Sequence, residues 1–168
     1  NMIVKARKLS YDLFASLDKI TPDIRKAGGY IAIEWPRMCK YWRSSKIRRY
    51  LRREFLQSCA FDGCAYGLVD PVSGQPMRKP WRVDTDVREF WCTLSETCSC
   101  DSPHVVCGSG RAKATEGYTD ELVRTIHDSW RLRASVDIHA SQPAAPAVTL
   151  SLDCNLFCGG PCCDISSD

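Results

Sequence analysis

Three stretches of this 168-residue chain hold side chains able to do chemistry. The first ends in Glu34, which closes the apolar run Tyr-Ile-Ala-Ile-Glu-Trp at Tyr30–Trp35. Nearly continuous apolar, β-prone runs mark strands covered on both faces, and Pro36 cannot donate to a ladder, so the strand is expected to stop there. In open α/β sheets the carboxyl ends of strands face the ligand crevice, which makes Glu34 the candidate catalytic acid. Its plainer alternative is a carboxylate that pairs with a nearby arginine.

The second stretch is Cys92, Cys98-Ser99-Cys100, His104 and Cys107. Thiolates and imidazole are the ligands that zinc prefers, and Cys100-x3-His104-x2-Cys107 lies close to usable spacing. The fourth ligand would come from Cys98 or Cys92; the set adopted is Cys98, Cys100, His104 and Cys107. Loop thiols without an ion are the alternative. A closing group, Cys154, Cys158, Cys162 and Cys163, also resembles a ligand set, but it lacks a surrounding pattern of elements.

The third is cationic. Arg37, Lys40, Arg43, Lys46, Arg48, Arg49, Arg52 and Arg53 follow one another with no acid among them. After a turn, a helix capped by Ser44 or Ser45 is expected. Its wheel puts Ile47, Tyr50, Leu51 and Phe55 on one side and Lys46, Arg48, Arg49, Arg52 and Arg53 on the other. Such a face attracts polyphosphate, which nominates Arg43, Lys46, Arg49, Arg52 and Arg53 as nucleic-acid contacts. A solvated helix surface is the bland counterpart.

Other elements must position these groups. Leu9, Leu13, Leu17, Ile20 and Ile24 share an arc of about 80° on a helical wheel, predicting helix over 9–27. Thr21-Pro22-Asp23 should restart it, and Gly28-Gly29 should end it. Leu56–Phe61 and Cys64–Val69 read as strands around the Asp62-Gly63 turn. Trp81–Thr85 alternates like a half-exposed antiparallel strand. A last helix is expected within Thr115–Arg133, with Thr119 as cap, Leu122, Val123, Ile126 and Trp130 as buried stripe and His127 at its edge. The expected fold is α/β, a partial Rossmann-like sheet (β-α-β plus an antiparallel return strand) with flanking helices. The domain should cover 1–133, and 134–168 should be a flexible, disordered Ala/Pro/Ser/Cys-rich tail with a linker at Gln142–Val148.

The bulk numbers fit a soluble globular domain: 44% apolar, 26% charged and a net charge of +3. No cationic leader and no apolar run near 18 residues is present, so neither a signal peptide nor a membrane partner is expected. Opening on Asn1, the chain reads as a piece of a longer frame. Eleven cysteines, an odd number without a secretory signal, point to a reducing compartment, cytoplasmic or nuclear. Oligomeric state is not legible.

Taken in order, several pieces carry a resemblance. They are Ile33-Glu34-Trp35-Pro36, a helix, Asp62-Gly63-Cys64-x-Tyr66-Gly67, Lys79-Pro80-Trp81-Arg82, a Cys/His loop and Thr115-Glu116-Gly117-Tyr118-Thr119. The string resembles a block of copia-like retroelement polyproteins of protists, over about residues 25–130. The block is similar to the C-terminal half of a Rossmann-like methyltransferase domain. The resemblance implies that Glu34-Trp35-Pro36 is a loose counterpart of the Glu-Asn-Val motif of cytosine methyltransferases, with Glu34 touching a base. It also matches Tyr66-Gly67 and Arg82 to that family's Tyr-Gly…Arg segment, adding Arg82 to the nucleic-acid contacts.

The family's Gly-rich cofactor loop and Pro-Cys nucleophile loop are absent, and among the cysteines only Cys162 follows a proline. The implied function is therefore a fragment of a methyltransferase-like, nucleic-acid-associated domain of a mobile-element polyprotein, inactive alone. S-adenosylmethionine would bind only if a cofactor half lies upstream, and zinc is the one cofactor this stretch itself suggests. Two alternatives stand beside it: a non-catalytic nucleic-acid-binding module, with or without structural zinc, and a degenerate frame that keeps a fold without activity.

Overall fold

Alternate residues of the central strand are buried on opposite sides, and the whole architecture follows from that. In the computed structural model, which describes residues 2–107, 115–139 and 148–151, strand β1 spans Ile31–Pro36. Ile31, Ile33 and Trp35 face one apolar cluster and Ala32 faces another. Helices therefore cover both faces of the sheet, as the continuous apolar run requires.

Among the described residues the elements run α1 (Met2–Lys26), β1, a 3-10 turn (Lys40–Arg43), α2 (Ser45–Arg53), β2 (Gln57–Asp62), a 3-10 turn (Gly63–Tyr66), β3 (Pro80–Thr85), α3 (Arg88–Thr93), α4 (Asp120–His139) and β4 (Val148–Ser151). The strands form one sheet in the order β2-β3-β1-β4. β3 lies antiparallel to β1, with Ile33 opposite Asp84, and antiparallel to β2, with Cys59 opposite Val83. β1 and β2 are thus parallel to each other, and the return strand inserts between them. β4 pairs in parallel with β1. The α/β class stands; pairing among the first three strands is antiparallel.

α1 and α2 pack on one face. Phe14 and Leu17 meet Ile47, Tyr50 and Leu51 around Trp35, which is fully buried, and Trp42 closes the cluster. α3, α4 and the 63–77 segment cover the other face, where Phe90, Leu94 and Leu122 pack on Phe61, Trp81 and Val83. β3 is consequently covered on both sides: Trp81, Val83, Asp84 and Thr85 are all buried, not half-exposed as the alternation suggests.

Three local readings change here. α1 is one helix with Pro22 inside it, not two pieces. Thr21 does not cap a second piece: its hydroxyl donates to the Leu17 carbonyl at 2.8 Å and shares a 2.8 Å hydrogen bond with the Tyr50 hydroxyl, tying the proline turn to α2. Residues 64–69 do not form a strand. A Cβ on Gly63 would come within 2.7 Å of Leu68 Cδ2, and the Leu68 N–H donates to the Gly63 carbonyl, so the chain doubles back in a tight turn.

At the chain's far end, α4 continues past the boundary expected at Ala134, to His139, and Val148–Ser151 belong to the sheet. Residues 142–147 of the expected linker and the Cys154, Cys158, Cys162 and Cys163 group lie outside the described residues. No helix among the described residues is long and apolar enough to cross a membrane.

Candidate metal centre and cationic helix

β2 ends in a buried charge. Asp62 is fully buried, and its carboxylate accepts from Arg37 at 3.1 Å, Arg78 at 3.2 Å and the backbone N–H of Cys98 at 3.0 Å. A buried carboxylate is tolerable only when satisfied in this way. Its own N–H donates to the Glu96 carbonyl. Two bonds thus fasten the loop after α3 to the strand end. The Tyr66 hydroxyl adds a third tie, donating to the Thr93 carbonyl at 2.6 Å. Further on, the Val105 N–H donates to the Pro76 carbonyl, which returns the loop to the body.

The loop so held brings Cys98, Cys100 and His104 to Cys64, on the turn that follows Asp62. One ligand atom from each of the four lies within 4.8 Å of the others. The Cys98 sulfur is 3.1 Å from His104 Nε2 and accepts the Cys100 N–H at 3.3 Å. Sulfurs bound to one tetrahedral zinc stand about 3.8 Å apart, given bonds near 2.3 Å. The group is therefore already close to the size of a Cys3His site, and it could bind a metal. Burial, with hydrogen bonding to Cys98 next, pushes the Cys64 thiol up to about 12. Hydrogen bonding to Cys98 likewise raises Cys100, while the Cys100 N–H lowers Cys98. Of the three thiols Cys98 is thus the one whose deprotonation is favoured, and a divalent cation bound here would displace the thiol protons.

The metal set read from spacing had Cys107 where the structure has Cys64. Cys107 is buried in the core below the loop, its sulfur 4.0 Å from Thr115 Oγ1. Cys92 is exposed on α3, outside the group. Local spacing could not find Cys64, which lies 34 positions before Cys98; the turn signal Asp62-Gly63 just ahead of it was the available clue.

Glu34 sits at the carboxyl end of β1, half-buried, on the α3/α4 face. The Tyr118 hydroxyl donates to its Oε2 at 2.8 Å. Tyr118 in turn packs edge-on against Trp81, and Lys79 lies over the Trp81 ring while donating to the Thr115 carbonyl.

On α2 the inner side is Ile47, Tyr50 and Leu51, all buried, and Lys46, Arg48, Arg49, Arg52 and Arg53 are exposed. The proposed contacts then divide. Arg43, Arg49 and Arg52, with Arg48, are exposed and have no ion-pair partner among the described residues. Lys46 lies over the Tyr11 ring. Arg53 is engaged by Asp18 at 2.7 Å and Glu54 at 2.6 Å, which raise its pKa. Arg82 grips Asp84 through two bonds, at 2.6 and 2.8 Å, and stacks on Trp42 at 4.3 Å. It is committed to the inside of the sheet layer.

No family model, no curated protein and no solved structure matches this chain.

Proposed function

We propose that this chain is a nucleic-acid-binding module without catalysis of its own, stapled by a structural zinc. The observation that carries the binding half is the solvent side of α2. Arg48, Arg49 and Arg52 stand exposed there without ion-pair partners among the described residues, whereas Arg53 at the end of the same helix, and Arg25, Arg37 and Arg82 on other elements, are each paired with a carboxylate. Cations left unpaired on one helix, together with Arg43 at its entry, are a ready surface for phosphates. The zinc half is supported by Cys64, Cys98, Cys100 and His104, whose donor set is the one zinc selects. An ion there would join the end of β2 to a loop that carries little apolar surface of its own.

The methyltransferase-like reading draws on Glu34, on Rossmann-like parentage and on the retroelement resemblance. Since Glu34 Oε2 already accepts the Tyr118 hydroxyl, the binding module is the better-supported reading. Charge reversal of Arg49 and Arg52 tests it: affinity for all nucleic-acid sequences should fall alike. Undiminished affinity would abandon it. Metal analysis tests the staple, and less than about 0.3 zinc per chain would exclude it.

A further inference from the structure

Two helices of this protein end in the same backbone motif with different residues at its critical position. α1 ends with the Gly28 N–H donating to the Arg25 carbonyl and the Gly29 N–H to the Ile24 carbonyl, with Gly28 at φ +71°. α2 ends with the Phe55 N–H donating to the Arg52 carbonyl and the Leu56 N–H to the Leu51 carbonyl, with Phe55 at φ +56°. Glycine fills this left-handed position at no steric cost, whereas a residue with a Cβ is strained there. Phe55 is the one residue other than glycine with positive φ among the described residues.

Burial does not compensate for that strain, because Phe55 is 84% exposed. The surrounding structure nevertheless holds the backbone in place. Arg25 donates to the Glu54 carbonyl and pairs with the Glu54 carboxylate, and Leu56 is buried just beyond. An exposed aromatic in a strained, well-held conformation, at the end of a helix whose outer side is cationic, is a feature that the fold itself does not need.

We infer that Phe55 is a stacking platform for an unpaired base, with Arg48 and Arg52 of α2 holding the adjoining phosphates, so that the ligand is single-stranded nucleic acid. This rests on the binding reading above and narrows it. Single-strand binding combines a cationic track with aromatic rings on which bases stack, and needs no apolar face beyond the ring. An anionic membrane surface would need an apolar helix face. On α2 that face is spent on the core, since Ile47, Tyr50 and Leu51 are buried. Phe55 lies two residues before β2 and Cys64 two residues beyond its end, so Phe55 and the Cys/His group flank opposite ends of that strand.

The test is fluorescence anisotropy of the full chain with a labelled single-stranded oligonucleotide of about 12 nucleotides, alongside a duplex and vesicles of anionic phospholipid. Phe55→Gly should raise the unfolding temperature by about 2–4 °C through relief of the strained position. The same change should weaken single-strand binding by about 5- to 100-fold. Duplex affinity should stay the same, and Phe55→Trp should keep single-strand affinity. Unchanged single-strand affinity in Phe55→Gly, an equal loss on the duplex, or a loss seen on vesicles instead would overturn the inference and leave the cationic helix standing. Wild-type protein that binds none of the nucleic acids would overturn the underlying reading as well.

Discussion

The Asp62 carboxylate accepts the backbone N–H of Cys98 at 3.0 Å, so the end of β2 sets where the candidate metal loop begins. The same carboxylate pairs with both Arg37 and Arg78. Asp62→Ala should therefore weaken zinc binding by about 10- to 100-fold, as loss of outer-shell partners typically does. It should also cost about 2 kcal/mol of stability for the charged hydrogen bonds removed. Chelator competition and urea unfolding measure the two effects separately.

Cys64 and Cys107 make a sharper pair, because spacing along the chain and position in space assign them opposite roles. Cys64→Ala should reduce bound zinc to below about 0.3 per chain. Cys107→Ala should leave it near one per chain and cost only about 1 kcal/mol, as loss of a small buried group does. Metal analysis of the purified variants, with unfolding curves, checks both.

Gly63 tests how the turn delivers Cys64. An added methyl would meet Leu68 Cδ2 at 2.7 Å and the Trp81 ring at 3.3 Å. Gly63→Ala is expected to destabilise by about 1–3 kcal/mol through overpacking, and to lower zinc affinity because the turn must shift. Equal zinc affinity in the variant would show that the turn does not position the ligand.

Stability should fall at high pH. Burial raises the Cys59 thiol from 9.0 to about 12 and the Tyr50 hydroxyl from 10.0 to about 12. Both groups are neutral when protonated, so the fold's preference for the protonated form contributes fully below the unfolded values. That contribution is lost as pH rises from about 9 through about 12, where the unfolded chain binds fewer protons. Unfolding free energy should decline across this window, and Cys59→Ala should flatten the decline between pH 9 and 10. An unchanged slope would contradict the assignment.

Much of this layout was legible because periodicity reports burial. The continuous run at Tyr30–Trp35, the two-sided wheel of α2 and the glycine end of α1 all describe local geometry. In α4, Thr119 accepts the Leu122 N–H as a cap should, but Val123 and His127 face outward. What escaped was non-local. Pro22 reads as a break, yet a hydroxyl on another element holds its turn together. Cys64–Val69 reads as a strand, but the Gly63–Leu68 contact bends it. The occupation of Arg53 by Asp18, and of Arg82 by Asp84 and Trp42, depends on partners that only the fold brings near. Phe55 read as part of the buried side of α2; two residues past the helix end, the chain turns it into solvent.

The central claim is that α2 binds nucleic acid through charge, and the salt dependence of affinity addresses it most directly. A plot of log binding constant against log salt concentration should slope downward, and the slope should become shallower by about one unit for each of Arg48, Arg49 and Arg52 replaced by Ala. A flat wild-type plot, or a slope untouched by all three replacements, would contradict it.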